Sequence, residues 1–204
     1  MKTFIWDVDG TLVDSYEILT KNVHQIFSQY LDITKEEIFE SITDTSIRSF
    51  FLETTKKHDL PLEEIYLSYK ALDDAVKAED YKLIKDCSEV LNAMSDKGCK
   101  HYIYTHRGRS TYDILKINNL EDIFIEVVTS DNGFERKPSP QALDYLIDKY
   151  NLDKSTTCYV GDRTLDVESG NNAGLKTIYF NEVGKTNNDA NHSVKALKEI
   201  LEII

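Results

Sequence analysis

The feature that most constrains the fold of this chain is an alternation of short β-rich runs with helical segments. The five runs rich in strand-forming residues are 3–8, 100–105, 123–130, 156–161 and 175–180. Turn residues follow each run, and amphipathic helical spacing fills most of the intervals between them. Because strands that alternate with helices of this length form βαβ units, the sequence predicts an α/β fold with a parallel sheet covered on both faces.

Three helices are predicted between the later strands. Apolar residues recur at helical spacing in 88–97 and again in 111–120. Ser139 has the side chain of an N-cap, and Pro140 suits the first helical position because no backbone N–H is needed there. The third helix is therefore expected to begin at Pro140 and to continue to Tyr150.

Residues 15–81 interrupt this alternation. They contain no strand signal, and their apolar residues recur at helical spacing in three groups, 18–27, 47–52 and 65–76. These helices could pack on the sheet like the others, but more than sixty residues then separate the first two strands. A second, smaller domain fits this spacing better. We therefore predict an α/β catalytic core of 1–14 and 82–204 with a helical cap domain of 15–81.

The charge of the chain limits its classes of partner. The 204 residues include 36 acidic and 24 basic ones, and the net charge is -12. Such a chain repels nucleic acid and anionic membrane surfaces, so a small soluble ligand is the expected partner. No apolar stretch near Met1 is long enough for a signal peptide or a membrane helix, and a cytoplasmic location is expected. The three cysteines lack CxxC spacing and are predicted to be reduced, structural thiols.

Four polar stretches lie at the carboxyl ends of predicted strands, where open α/β sheets bind their ligands. They are DVDGT at 7–11, YTHRG at 104–108, RKPSP at 136–140 and GDRTLD at 161–166. Asp7 and Asp9 cannot both stay ionised at close range unless a cation neutralises them, and Asp162 and Asp166 bring two further carboxylates. Mg²⁺ suits an oxygen-rich cluster of this kind. Single aspartates in loops are usually caps or turn formers, but that role explains four at strand ends poorly.

Lys137 and Thr105 would complete such a site with a positive charge and a hydroxyl donor. Taken alone, a lysine is nearly always a solvated surface residue, and a threonine in a strand is simply a good strand former. Their positions within the four stretches are what favour a functional role.

In order and content, these four stretches resemble the motifs of the haloacid dehalogenase-like hydrolase superfamily. The resemblance covers nearly the whole chain, including the helical insert after the first motif, as in the branch with phosphoglycolate phosphatases and β-phosphoglucomutases. It implies a Rossmann-like three-layer core, a helical cap and a phosphoryl group held beside Mg²⁺. True dehalogenases resemble this fold but lack an acid two residues after the nucleophile, so Asp9 indicates phosphoryl transfer.

The resemblance also implies roles for individual residues. Asp7 would be the nucleophile that forms an aspartyl-phosphate, and Asp9 would protonate the leaving alcohol and then deprotonate water. Mg²⁺ would be held by Asp7, the backbone carbonyl of Asp9 and Asp162, with Asp166 orienting these ligands. The phosphoryl oxygens would be held by Lys137, Thr105 and the backbone amide of His106; the His106 imidazole is a second, weaker candidate for the base.

The helical insert contains a single arginine, Arg48, which is expected to recognise the distal group of the substrate. Its alternative role is a surface ion pair with an acid such as Asp44. The glycine and the histidine that related mutases carry in this region are absent, which argues against mutase activity. The sequence therefore predicts a Mg²⁺-dependent phosphatase of a small phosphorylated metabolite; a phosphosugar mutase and a non-catalytic phosphometabolite-binding protein are the alternatives.

Overall fold

A computed structural model describes residues 1–204 of the chain. The chain divides into two compact units, which are described separately below. The first unit comprises Met1–Asp14 and Lys82–Ile204, and the second comprises Ser15–Tyr81.

Strands and helices alternate through the first unit, whereas the second unit contains helices and no strand. The strands are β1 (Thr3–Trp6), β2 (Val13–Asp14), β3 (Lys82–Leu83), β4 (Lys100–Tyr104), β5 (Phe124–Val128), β6 (Thr157–Gly161), β7 (Lys176–Phe180) and β8 (His192–Val194). The α-helices are α1 (Tyr16–Phe27), α2 (Lys35–Asp44), α3 (Ile47–His58), α4 (Leu62–Ala75), α5 (Cys87–Asp96), α6 (Ser110–Ile117), α7 (Gln141–Tyr150) and α8 (Thr164–Asn172). None of these helices combines the length and the apolar character needed to cross a membrane.

Six parallel strands form the main sheet in the order β5-β4-β1-β6-β7-β8. The chain builds the sheet outward from β1 through β4 to β5, and then returns to add β6, β7 and β8 on the other side. This arrangement confirms the predicted α/β, Rossmann-like fold. Ligands of such sheets bind where the strand order reverses, which places a ligand site at the carboxyl ends of β1, β4 and β6.

The sheet is buried on both faces. All four residues of β1 are buried, although successive side chains of a strand point to opposite faces. On one face, Ile5, Tyr102 and Tyr159 pack in a cluster with α7. On the other face, Trp6 donates a 3.1 Å hydrogen bond from Nε1 to Nδ1 of buried His101. The central strand is thereby fixed between two packed layers.

The second unit has its own apolar core. The ring of Phe27 from α1 meets Phe50 and Phe51 of α3 edge-on, with centroids 5.0 and 5.1 Å apart. Leu52 and Leu67, which the periodicity assigns to apolar helix faces, are instead 45% and 59% exposed. Leu52 lies off the buried stripe of α3 because that stripe follows Phe50, Phe51 and Thr55.

Several local features differ from the sequence-based expectations. The short antiparallel pair β2–β3 and the edge strand β8 were not predicted, since two or three residues carry no periodic signal. The N-cap of α7 is Pro140 rather than Ser139, because the Pro140 carbonyl accepts the first helical bond, from Asp144 N–H at 2.8 Å. All three cysteines are free thiols, as predicted, and burial raises the pKa of Cys87 and of Cys158 to about 12.

Candidate active site

The end of β1 places Asp7 at the centre of the sheet edge. Trp6 lies opposite Ile103 of β4 and Val160 of β6, and the Asp7 amide donates a 2.9 Å hydrogen bond to the Val160 carbonyl. Asp7 is fully buried. A carboxylate in such a position requires a compensating charge, because an isolated buried anion is too costly to retain.

Lys137 supplies that charge and joins two carboxylates. Its Nζ lies 2.8 Å from Asp7 Oδ1 and 2.7 Å from Asp166 Oδ1, and all three side chains are buried. The ammonium also lies over the rings of Tyr104 and Tyr159, 4.9 and 5.3 Å from their centroids. Aromatic faces attract a cation without donating or accepting a proton. The lysine is thus held in a fixed position by two anions and two rings.

The two carboxylates beside Lys137 differ in their proton affinity. Burial raises the pKa of Asp7 above its ordinary value of 3.8, although Lys137 acts in the opposite direction. Burial also acts to raise the pKa of Asp166, but Lys137 and Arg163 outweigh it and the pKa falls below the ordinary value. The fold therefore favours the ionised form of Asp166 more than that of Asp7, and ionised Asp7 would gain from a further cation.

Asp166 is fixed by hydrogen bonds as well as charge. Its Oδ2 accepts from the Arg163 amide at 3.1 Å, and its Oδ1 accepts from the Tyr159 hydroxyl at 3.3 Å. A side chain at Gly161 would place its Cβ 2.4 Å from the Asp166 Cβ, so only glycine fits at the end of β6. The GDRTLD stretch therefore packs its last aspartate against its first glycine.

Arg163 and Asp162 complete the inner part of the site. The Arg163 Nη2 donates to Asp7 Oδ2 at 3.3 Å, and the Thr11 hydroxyl donates to Asp162 Oδ1 at 3.3 Å. Carboxylate oxygens of Asp7, Asp162 and Asp166 all lie within 4.8 Å of one another. A cluster of carboxylate oxygens at this spacing fits a site for a divalent cation such as Mg²⁺.

Asp9 lies in a different environment from Asp7. Its carboxylate is 20% exposed and accepts three hydrogen bonds from Arg107, two from Nε and one from Nη2 at 2.6 Å. The positive charge expected beside the first motif therefore comes from several side chains. Lys137 and Arg163 form ion pairs with Asp7, and Arg107 forms an ion pair with Asp9.

Thr105 and His106 lie at the end of β4. The Thr105 hydroxyl oxygen accepts from the Arg107 amide at 3.1 Å, which leaves the hydroxyl proton available to an acceptor such as a phosphoryl oxygen. The His106 Nε2 accepts from the Lys137 amide at 2.9 Å. The imidazole therefore positions the loop that carries the lysine, which gives it a role that the sequence analysis did not assign.

Three side chains of the site were not assigned roles from the sequence: Arg107, Arg163 and Tyr159. The two arginines belong to the motif stretches themselves, and that placement was the available signal. Tyr159 gave no signal, because a tyrosine inside an apolar strand is an ordinary core residue.

Arg48 belongs to the second unit. It is an exposed residue at the start of α3, and Ser46 caps this helix by accepting from the Ser49 amide at 3.0 Å. Ser46, a polar neighbour of Arg48, therefore serves to begin the helix.

Comparisons with known proteins identify the family. A model of the haloacid dehalogenase-like hydrolase family matches residues 4–180, and the chain belongs to this family. It is 27% identical over 179 residues to pyrophosphatase PpaX of Bacillus cereus (strain Q1), covering 87% of this chain and 82% of that protein.

Solved structures show the same fold. A haloacid dehalogenase-like hydrolase from Bacteroides fragilis superposes with a TM-score of 0.84 at 19% identity, covering 98% of this chain and 99% of that one. A predicted phosphoglycolate phosphatase from Haemophilus somnus 129PT gives a TM-score of 0.81 at 20% identity, covering 100% and 97%. The family match and the pyrophosphatase relative support the predicted enzyme class, a phosphatase.

Proposed function

We propose that the protein is a Mg²⁺-dependent phosphatase that hydrolyses a small phosphorylated metabolite through an aspartyl-phosphate on Asp7. The observation that carries this proposal is the contrast between two aspartates one residue apart. Asp7 is buried against Lys137, as suits a nucleophile, whereas Asp9 is partly exposed on the outer side, as suits an acid that meets the leaving group. Pairs of carboxylates in unlike environments are typical of acid–base chemistry.

In the first step, an Asp7 carboxylate oxygen attacks phosphorus and the bond from phosphorus to the leaving oxygen breaks. Asp9 gives its proton to that oxygen, so the product leaves as a neutral alcohol. Lys137 neutralises charge at Asp7 and at the phosphoryl group, and Thr105 donates its hydroxyl proton to a phosphoryl oxygen. Catalysis of this kind consists mainly of positioning and charge stabilisation.

In the second step, water attacks the phosphorus of the aspartyl-phosphate while Asp9 accepts a proton from that water. The bond between phosphorus and the Asp7 oxygen breaks, which restores the Asp7 carboxylate and releases inorganic phosphate. Asp9 then carries the proton needed for the next turnover. The two steps together consume one water and one phosphate ester.

The metal would be held by Asp7, Asp162 and the backbone carbonyl of Asp9, with Asp166 orienting the set. When bound, Mg²⁺ supplies positive charge to the nucleophile and to the phosphoryl oxygens. Asp166 already accepts from Lys137, Tyr159 and the Arg163 amide, which supports an orienting role rather than a ligand role.

The name of the pyrophosphatase relative supports a small phosphorylated molecule as the substrate, and a direct test can identify its class. Phosphate release should be measured from a panel containing phosphoglycolate, sugar phosphates and inorganic pyrophosphate, with Mg²⁺ and with chelator. We expect release from at least one member that depends on Mg²⁺. Asp14→Asn serves as the control for substitutions in the site, because Asp14 is an exposed aspartate of the same unit. Release that persists in chelator would contradict the proposal, as would transfer of the phosphoryl group back to a sugar.

The cytoplasmic location remains a prediction.

Arg48 remains a proposed substrate-recognition residue on sequence grounds. If Arg48 binds the distal group of the metabolite, Arg48→Ala should lower kcat/KM for that metabolite, with a loss of about 1 to 3 kcal/mol of transition-state stabilisation. An aryl phosphate without a distal polar group should be scarcely affected. Equal losses on both substrates, or no loss on either, would exclude this role.

A further inference from the structure

We propose that Arg107 is a positioning residue that holds the Asp9 carboxylate in the orientation needed for proton transfer. The proposal rests on the phosphatase function described above, in which Asp9 is the acid and the base. It assigns Arg107 no contact with the substrate. Its effect on the reaction is exerted through Asp9.

The contact between the two side chains is specific in its geometry. Arg107 Nε donates to Asp9 Oδ1 at 3.0 Å and to Oδ2 at 3.2 Å, and Nη2 donates to Oδ1 at 2.6 Å. A planar guanidinium that reaches both oxygens fixes the carboxylate plane, whereas the point charge of a lysine would fix only its distance. The arrangement therefore controls orientation as well as charge.

Arg107 is itself held from three sides. Its amide donates to the Thr105 hydroxyl at 3.1 Å, and its carbonyl accepts from the Ser130 amide at 3.1 Å. Its Nη1 donates to Ser110 Oγ at 3.3 Å, and its side chain is only 5% exposed. The Arg107 backbone is thus tied to the ends of β4 and β5, and its guanidinium is tied to the start of α6. A buried group held in this way can orient a carboxylate that is more exposed.

Asp9 is the more exposed partner. It lies on the turn between β1 and β2, in which Gly10 has a φ of 75° and donates its N–H to the Val13 carbonyl at 2.8 Å. This turn sets the backbone of Asp9 but leaves its partly exposed side chain to be oriented by its neighbours. Without the arginine fork, the carboxylate would sample several rotamers, which reduces the fraction poised for proton transfer.

The proposal predicts a dependence on the leaving group. Expulsion of a strongly basic leaving oxygen needs the proton of Asp9, whereas dinitrophenolate departs without one. Arg107→Met should therefore lower kcat/KM about 100-fold for phenyl phosphate and less than about threefold for dinitrophenyl phosphate. Because the attack of water still needs Asp9, kcat for dinitrophenyl phosphate should fall as well, with a burst of dinitrophenolate in the first turnover. Arg109→Met, at an exposed arginine two residues further on, is the matched control and should leave both substrates unchanged.

A double-mutant cycle tests whether Arg107 acts through Asp9. In an Asp9→Asn background, Arg107→Met should cause no further loss of kcat/KM for phenyl phosphate, since the group that it orients is already removed. If Arg107→Met does not fold, Arg107→Lys carries the same comparison, with an expected loss of about 10-fold because charge is kept and the fork is lost. The Arg107 Nε–H resonance in isotopically labelled protein should shift when Asp9 is replaced by Asn, independently of any activity.

The outcomes separate this proposal from the function on which it rests. Wild-type protein that releases no phosphate from any monoester would overturn the phosphatase function, and the positioning role with it. An active wild type in which Arg107→Met lowers kcat/KM equally for both aryl phosphates would overturn the positioning role alone. A further loss of the full size in the Asp9→Asn background would do the same.

Discussion

Asp7 and Asp9 belong to the same short turn of chain, yet the structure treats them in opposite ways. Asp7 is completely buried and faces an ammonium that is enclosed by a second carboxylate and two tyrosine rings. Asp9 is partly exposed and is paired with the Arg107 guanidinium. In a continuous strand, Asp7 and Asp9 would point to the same face. The chain instead leaves β1 at Trp6 and turns at Gly10, so the two side chains enter different surroundings.

The comparison teaches how one loop serves two chemical tasks. A nucleophile must be in place before the substrate arrives, and burial among packed groups provides this at the cost of desolvation. An acid and base must exchange its proton with the leaving group and with water, which requires some exposure.

Replacement of the nucleophile should have the largest effect. Asp7→Asn is expected to lower phosphatase activity by at least about 10⁴-fold, because the amide cannot form the covalent intermediate. Steady-state phosphate release is the measurement, with Asp14→Asn as the control that should retain activity. Substantial turnover by Asp7→Asn would show that burial against Lys137 does not mark the nucleophile.

Removal of the buried cation should destabilise the fold itself. Lys137→Met leaves two buried carboxylates with Arg163 as their nearest remaining cation, and loss of one partner of a buried ion pair costs about 3 to 5 kcal/mol. Urea unfolding gives this free energy directly. The same change at Lys116, an exposed lysine of α6, should cost less than about 0.5 kcal/mol. Equal effects of the two variants would contradict the enclosed position of Lys137.

The two buried carboxylates should differ in the sign of their effect on stability. Asp166→Asn removes a charged acceptor and should cost about 2 to 3 kcal/mol at pH 7 in chelator. Asp7→Asn should be neutral or stabilising there, because the fold raises the pKa of Asp7 and so disfavours its ionised form.

The dependence on pH provides the check for this third prediction. Folded Asp7 binds its proton more tightly than the unfolded chain does, so wild-type stability relative to Asp7→Asn should fall as pH rises from 3.8 through the raised pKa. The contribution of Asp166, whose pKa is lowered, is present above 3.8 and is lost as pH falls through the lowered pKa. Urea unfolding of the three proteins across this range measures both trends. Parallel curves would show that the two carboxylates are equivalent.

The ion pair between Asp9 and Arg107 should contribute least to stability. Asp9→Asn is expected to change the free energy of unfolding by less than about 1 kcal/mol, since a partly exposed ion pair contributes little. Thermal and urea unfolding of Asp9→Asn and of Lys137→Met, measured in parallel, give the two free energies to compare. A cost as large as that of Lys137→Met would place Asp9 among the structural residues and remove the distinction between the two aspartates.

The sequence was sufficient for the fold class and for the sheet edge at which the polar stretches meet. Strand and helix signals act over five or more residues, and parallel strands must end at the same edge, so Asp7, Lys137 and Asp166 could be expected near one another. Elements of two or three residues, such as β2 and β3, were missed because they are formed by contacts distant in sequence.

Which arginine pairs with which aspartate in the site could not be predicted from the spacing of the sequence. Arg107 and Arg163 each stand in a motif stretch, but only the fold shows that the first reaches Asp9 and the second reaches Asp7. The sequence analysis assigned the neutralisation of the first motif to a metal alone. Three side-chain cations share this role in the structure, because long side chains from three different loops converge at the sheet edge.

The central claim is that Asp7 forms a covalent bond to phosphorus, and the stereochemistry of phosphoryl transfer tests it most directly. A thiophosphate monoester, in which sulfur and two different oxygen isotopes make phosphorus chiral, is hydrolysed in water labelled with the third oxygen isotope, and the configuration of the product thiophosphate is determined. Two successive in-line displacements, first by Asp7 and then by water, predict retention of configuration. Inversion would show a single displacement by water and would contradict the account.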